Sequence, residues 1–193
     1  MLHNLKIWQK LAMIGLAFSL PIAVLLFLVI KGINDNIRFS QWEKYGNEYQ
    51  RPLEKLLEHI AQHRLLAQRS LSGDEWLKGE LASKQVHIEE DFEALVRVNR
   101  RLGATLQITD EGLAKRKREH DRPTTMQREW QELKTQLASL TPGTSNDLHT
   151  HLIGDLRTLI THVGDTSNLI LDPDLDTYYL TKVRHKANTH LGE

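Results

Sequence analysis

One apolar run, LAMIGLAFSLPIAVLLFLVI at residues 11–30, limits what this chain can fold into more than any other feature. It contains no charge, Lys6 and Lys10 precede it, and Lys31 follows it. An α-helix rises about 1.5 Å per residue, so about 20 residues cover the ~30 Å hydrocarbon core of a bilayer. A cleaved secretory signal has a shorter apolar region followed by a small-residue site, whereas this run leads into Lys31-Gly32-Ile33-Asn34-Asp35. Residues 11–31 therefore read as an uncleaved signal anchor behind a tail of residues 1–10. Pro21 removes a backbone donor in mid-run, which predicts a kink. Lys6, Lys10 and the amino terminus face Lys31, Arg38 and Lys44 across the span, so flanking charge alone does not orient it.

The rest of the composition excludes more than it selects. Lys plus Arg total 25 and Asp plus Glu total 25, so no global field draws the chain to nucleic acid. Cysteine is absent, which removes disulfides, thiolate nucleophiles and Cys-ligated metal centres.

Beyond the run, apolar residues recur at steps of three and four, the spacing of helices that bury one face. Leu53, Leu57, Ile60, Ala67 and Leu71 form one seam; Ile88, Phe92, Leu95, Leu102, Leu106 and Leu113 form a second. Met126, Trp130, Leu133, Leu137 and Leu140 mark a third, and Leu148, Leu152, Leu156, Leu159, Val163 and Ile170 a fourth. The fold class is all-α. Ser72-Gly73-Asp74-Glu75 and Thr124-Thr125-Met126-Gln127 have the form of capping boxes, and Thr141-Pro142-Gly143-Thr144 is a turn cluster. These signals predict helices at 35–71, 75–119, 124–140 and 145–171, the first continuing the membrane helix with an irregularity near Gly32 or Gly46. Short turns between long helices make an antiparallel bundle the natural architecture.

Two seams carry polar interruptions. Arg64 falls between Ile60 and Ala67, and Asn99 between Leu95 and Leu102. A seam Asn fixes register, and a buried Arg needs a partner: either a structural one or an anionic ligand between helices.

Other constellations are weaker. Asp172, Asp174 and Asp176 alternate as in an EF-hand, but Thr177 and Val183 stand where that loop needs Gly and Glu. Pro173 with flanking acids reads instead as a helix break and cap. His59 and His63 lie one turn apart without an HExxH order, and His149 and His151 are no stronger a pair. No phosphate loop, nucleophile elbow or paired-acid motif occurs, so the expectation is a non-enzyme with no catalytic residue, cofactor or metal.

Two stretches carry a resemblance. The first runs from Gly46-Asn47-Glu48-Tyr49-Gln50-Arg51-Pro52-Leu53 through His63-Arg64, Gln68-Arg69 and Gly73-Asp74; the second is Ser167-Asn168-Leu169-Ile170-Leu171-Asp172-Pro173-Asp174-Leu175-Asp176-Thr177-Tyr178-Tyr179-Leu180. Read as a pair, they resemble the N-terminal transmembrane and extracytoplasmic sensory region of bacterial methyl-accepting chemotaxis proteins and of related sensor histidine kinases. The resemblance covers roughly residues 5–180. It implies a single-pass protein of the bacterial inner membrane, N-terminus inside, with a helical-bundle sensor at 34–180 in the periplasm. It implies a small-molecule ligand, pairing with a second copy or a receptor through helix packing, and signal transduction by a shift between two packings. Arg64, Arg69, Asn168, Asp172, Tyr178 and Tyr179 are the ligand-binding candidates by their place in the two motifs.

After Leu180 the apolar register is lost, and residues 181–193 read as an irregular tail where relatives continue into another apolar helix. The expectation is a truncated input fragment without an output domain, with Leu159, Val163 and Ile170 left exposed for want of a partner helix. The competing reading is a stand-alone, single-pass helical protein that associates with receptors or with itself.

Overall fold

The computed structural model describes residues 6–169. All regular structure among them is helical, and the chain divides between Gln41 and Trp42 into two compact units. Helix α1 runs Ile7–Leu71, 65 residues, and passes through Pro21, Gly32 and Gly46 without a break. Neither glycine ends the helix.

In the first unit the apolar segment of α1 is uncovered. Leu16 and Phe18 are 69% and 68% exposed, and Leu20 through Ile30 behave alike. The helix is long and apolar enough to cross a membrane by length and composition, a test that a signal sequence also passes. Side chains of this character exposed all round the helix lack the polar face that water requires.

The second unit is a four-helix bundle. The C-terminal part of α1 buries Tyr49, Leu53, Leu56, Leu57, Ile60 and Ala67. It ends where Gly73 takes a left-handed φ of 116°, a conformation open to glycine at no steric cost. There Asp74 N–H donates to Arg69 O and Gly73 N–H to Ser70 O, both at 3.2 Å, the Schellman pairing. Ser72 Oγ donates to Gln68 O at 2.8 Å. The capping box expected at Ser72–Glu75 is thus not formed, because its hydroxyl closes the preceding helix. A 3-10 turn, Glu75–Leu77, leads into α2, Lys78–Leu102.

The helix expected over 75–119 is split. Ile108 N–H donates to Gly103 O at 2.7 Å and Gln107 N–H to Ala104 O at 3.3 Å, a second Schellman turn with Gln107 at φ 56°. Helix α3, Asp110–Ala114, is opened by Thr109, whose Oγ1 accepts from Gly112 N–H at 3.1 Å. It closes through a third such turn at Lys117, φ 55°. A glycine at either place would have marked the break; Gln and Lys do not. What holds Gln107 there is tertiary: His162 Nε2–H reaches Leu106 O at 3.1 Å and Gln107 O at 3.2 Å.

Helix α4, Pro123–Gln136, has Pro123 in its first turn after Arg122, so Thr124 lies inside the helix and caps nothing. A 3-10 turn, Leu137–Ser139, follows. Helix α5, Pro142–Thr166, starts three residues before the expected 145: Thr141 Oγ1 accepts from Thr144 N–H at 3.2 Å, and Pro142 occupies the first turn. The predicted turn cluster is a helix N-terminus.

Cross-helix pairs set the directions. Tyr49 meets Asn99, His59 meets Asp91 and Gln62 meets Lys84, so α2 runs antiparallel to α1. His63 meets His149, and a Cβ on Gly46 would meet Ser167, so α5 also runs antiparallel to α1. Lys134 pairs with Glu89, tying α4 to α2. Trp130, Tyr49, Phe92, Ile88, Leu95 and Met126 fill the centre, each under 2% exposed. Burial of each such side chain contributes about 1.5–3 kcal/mol. Leu159 and Val163 are both 0% exposed, which corrects the expectation that the fourth seam lacks a partner. Ile170 lies outside the described residues.

Candidate functional site

The core of the bundle contains a polar layer. His63 on α1 and His149 on α5 are both 0% exposed. His149 Nδ1 lies 2.6 Å from Ser145 O, a carbonyl that only accepts, so this nitrogen carries the proton. His149 Nε2 is then an acceptor and receives His63 Nδ1–H at 2.8 Å. His63 Nε2 in turn accepts from Gln85 Nε2–H at 3.3 Å. Every link has a defined direction only while both rings are neutral. Burial first, and the neighbouring His149 second, push the His63 pKa down to about 3. Burial lowers His149 too, with Arg64 adding to the effect. The His63 ring stands edge-on to Trp130, centroids 4.8 Å apart.

Arg64, 7% exposed, donates from Nη1 to Thr150 Oγ1 at 3.3 Å, so the seam position is a buried α1–α5 contact. Asn99 accepts from Tyr49 Oη–H at 2.8 Å and, with Tyr49 0% exposed, fixes the α1–α2 register. Arg69 is exposed: it pairs with Asp74 at 3.0 Å and lies over the Trp76 ring at 5.6 Å, so it braces the α1–α2 turn. Asn168 takes a left-handed φ of 62° directly beyond α5, a conformation Asn tolerates better than most side chains. Asp172, Tyr178 and Tyr179 lie outside the described residues.

Parts of the two motifs do meet. A Cβ placed on Gly46 would sit 2.1 Å from Ser167 Oγ and 2.8 Å from Leu169 Cδ1. Only a glycine lets α1 approach the end of α5 this closely, and Ser167 and Leu169 are buried there.

An open groove on the bundle is lined by Arg51, Lys55, Glu58, Leu65, Asp91 and Arg157 among others, with a volume of about 930 Å³. Neither Arg64 nor Arg69 lines it. Its cations and acids are mixed, so it selects no ligand charge.

His59 and His63 diverge: His59 Nδ1 meets Asp91 Oδ2 at 2.6 Å while His63 turns to His149. The weak two-histidine metal pattern is thereby dissolved. His151 has a different setting. Its Nδ1 lies 3.3 Å from Asp155 Oδ2 and 3.7 Å from Glu129 Oε2. Sequence spacing could not pair Glu129 with His151, since they stand on different helices. Nearby Asp121 is 7% exposed, and burial together with Asp155 raises its pKa to about 6.

Comparison with protein-family models, with curated proteins and with solved structures returns no match.

Proposed function

We propose that this chain is the membrane-anchored sensory input module of a chemoreceptor-like signal-transduction protein, with the bundle outside the bacterial inner membrane. The observation that carries this is that a single helix, α1, contains both the uncovered apolar segment and the first helix of the bundle. A bundle whose first helix belongs also to the membrane segment has a covalent route for a signal that needs no chemistry, only a shift in packing. The likeness of the two motifs to chemoreceptor sensory regions supports the same role, as does the contact between Gly46 and Ser167.

The ligand-binding candidates are revised by their settings. Arg64 and Arg69 already serve helix contacts, so in this proposal a ligand acts by competing for such contacts rather than by filling a preformed pocket. The test is topology. Alkaline phosphatase fused after Leu140 folds only outside the cytoplasm, so an active fusion is expected; a stable but inactive fusion overturns the orientation and the sensory role with it. The second reading, a self-associating single-pass protein, draws on the exposed apolar side chains Leu65, Trp76 and Val86 at 56%, 72% and 53%. Cross-linking in membranes separates the two: self-association independent of any added solute favours the second.

A further inference from the structure

Glu129, His151 and Asp155 form a cluster that the bundle's packing leaves unexplained. His151 and Asp155 are one turn apart on α5 and so project from the same face, and Glu129 meets them from α4. One ligand-type atom from each lies within 4.8 Å of the other two. Two of these atoms, Glu129 Oε2 and Asp155 Oδ2, are shielded from solvent and have no hydrogen-bond partner. Both lie within ion-pair range of His151 Nδ1 without making a hydrogen bond; shielded carboxylate oxygens so placed are costly, and two of one sign at such range repel.

A second observation points the same way. Asp121, just ahead of α4, is 7% exposed and lies within electrostatic reach of both Asp155 and His151. Arg118 and His120 are its neighbours as well. A third acid thus feels the charge of this pair, and Asp121 and Asp155 share His151 and His120 as neighbours.

The spacing fits an ion. Zinc binds His nitrogen and carboxylate oxygen at about 2.0–2.2 Å, which sets tetrahedral ligands roughly 3.4 Å apart. The two distances from His151 Nδ1 are 3.3 and 3.7 Å. His151 is 64% exposed on its side chain, and a groove of about 290 Å³ bordered by Glu129, Leu148 and His151 opens beside it, so an ion has an entry path.

We propose that Glu129, His151 and Asp155 form a binding site for a first-row divalent cation of the zinc class between α4 and α5. One imidazole with carboxylates suits such an ion and disfavours calcium or magnesium, which take oxygen ligands alone. Because the ligands come from both helices, the bound ion clamps α4 to α5. This does not depend on the sensory role, and its test is independent of membrane topology.

The experiment uses the full chain in mild detergent, freed of metal by chelator and titrated with zinc chloride by calorimetry and thermal melting. One saturable site per chain and a raised melting temperature are expected. Loss of an outer partner of a metal site typically costs about 10–100-fold in affinity, so loss of a direct ligand in His151→Ala, or in Glu129→Gln with Asp155→Asn, is expected to cost at least that. The control is His59→Ala with His87→Ala, which removes a different imidazole pair with ring centroids 5.5 Å apart and is expected to leave affinity unchanged. Absence of saturable binding overturns the proposal. So does unchanged affinity in the Glu129/Asp155 variant, or loss confined to the His59/His87 variant.

Discussion

Acid should weaken this bundle through His63, and the size of the effect follows from its surroundings. The ring faces His149 from α5, Gln85 from α2 and Trp130 from α4, with Arg64 as the neighbouring cation on its own helix. None of these offers a carboxylate to stabilise an imidazolium, and burial lowers the folded-state pKa from 6.5 to about 3. The sign is fixed by proton counting: between those values the unfolded chain binds a proton that the folded chain excludes. Stability from this group is therefore fully present above pH ~6.5 and declines as the pH falls toward ~3, by about 1.4 kcal/mol per unit. From pH 7 to pH 4.5 the loss amounts to about 2–3 kcal/mol. His149 and His162, whose pKa values burial also lowers, act in the same direction, while Asp121, raised to about 6, acts oppositely. A difference measurement isolates His63. His63→Asn keeps a donor near the Nδ1 position and removes the titration. Urea unfolding of both chains in mild detergent, followed by tryptophan fluorescence, should show the wild-type advantage shrinking by about 2–3 kcal/mol between pH 7 and 4.5. A pH-independent difference would refute a dry, neutral imidazole pair.

Two further outcomes follow from packing. Gly46→Ala places a methyl group 2.1 Å from Ser167 Oγ and should cost about 1–3 kcal/mol by overpacking, with Ser167→Gly restoring much of the loss in a double-mutant cycle. Tyr49→Phe removes the hydroxyl that donates to Asn99 at 2.8 Å and should cost about 1 kcal/mol, read as a lower denaturant midpoint with the unfolding slope unchanged.

The periodicity of apolar residues determined the helices and most of the core, because a period near 3.6 reports which face leaves water whatever partner covers it. Leu53, Ile60, Phe92, Trp130 and Leu156 were all legible in this way, and all are buried. Asn99 at a seam position read as a register residue, and its bond to Tyr49 is that. The apolar run likewise stated its own property, since length and absence of charge need no tertiary context.

What the linear pattern did not determine lies in contacts between helices. The break after α2 was hidden because Gln107 adopts a glycine-like backbone, held there by His162 some fifty residues later. Ser72 had two backbone sites within reach, and the closing turn of α1 took its hydroxyl. That His63 points into a neutral pair with His149 depends on how α5 docks against α1. Glu129 and His151 become neighbours only when α4 and α5 pack, so no spacing in the sequence marks them. Local pattern sets which residues must be buried, whereas the partner that each buried polar group finds is decided by helix docking, where a directional bond has to be satisfied at a particular atom.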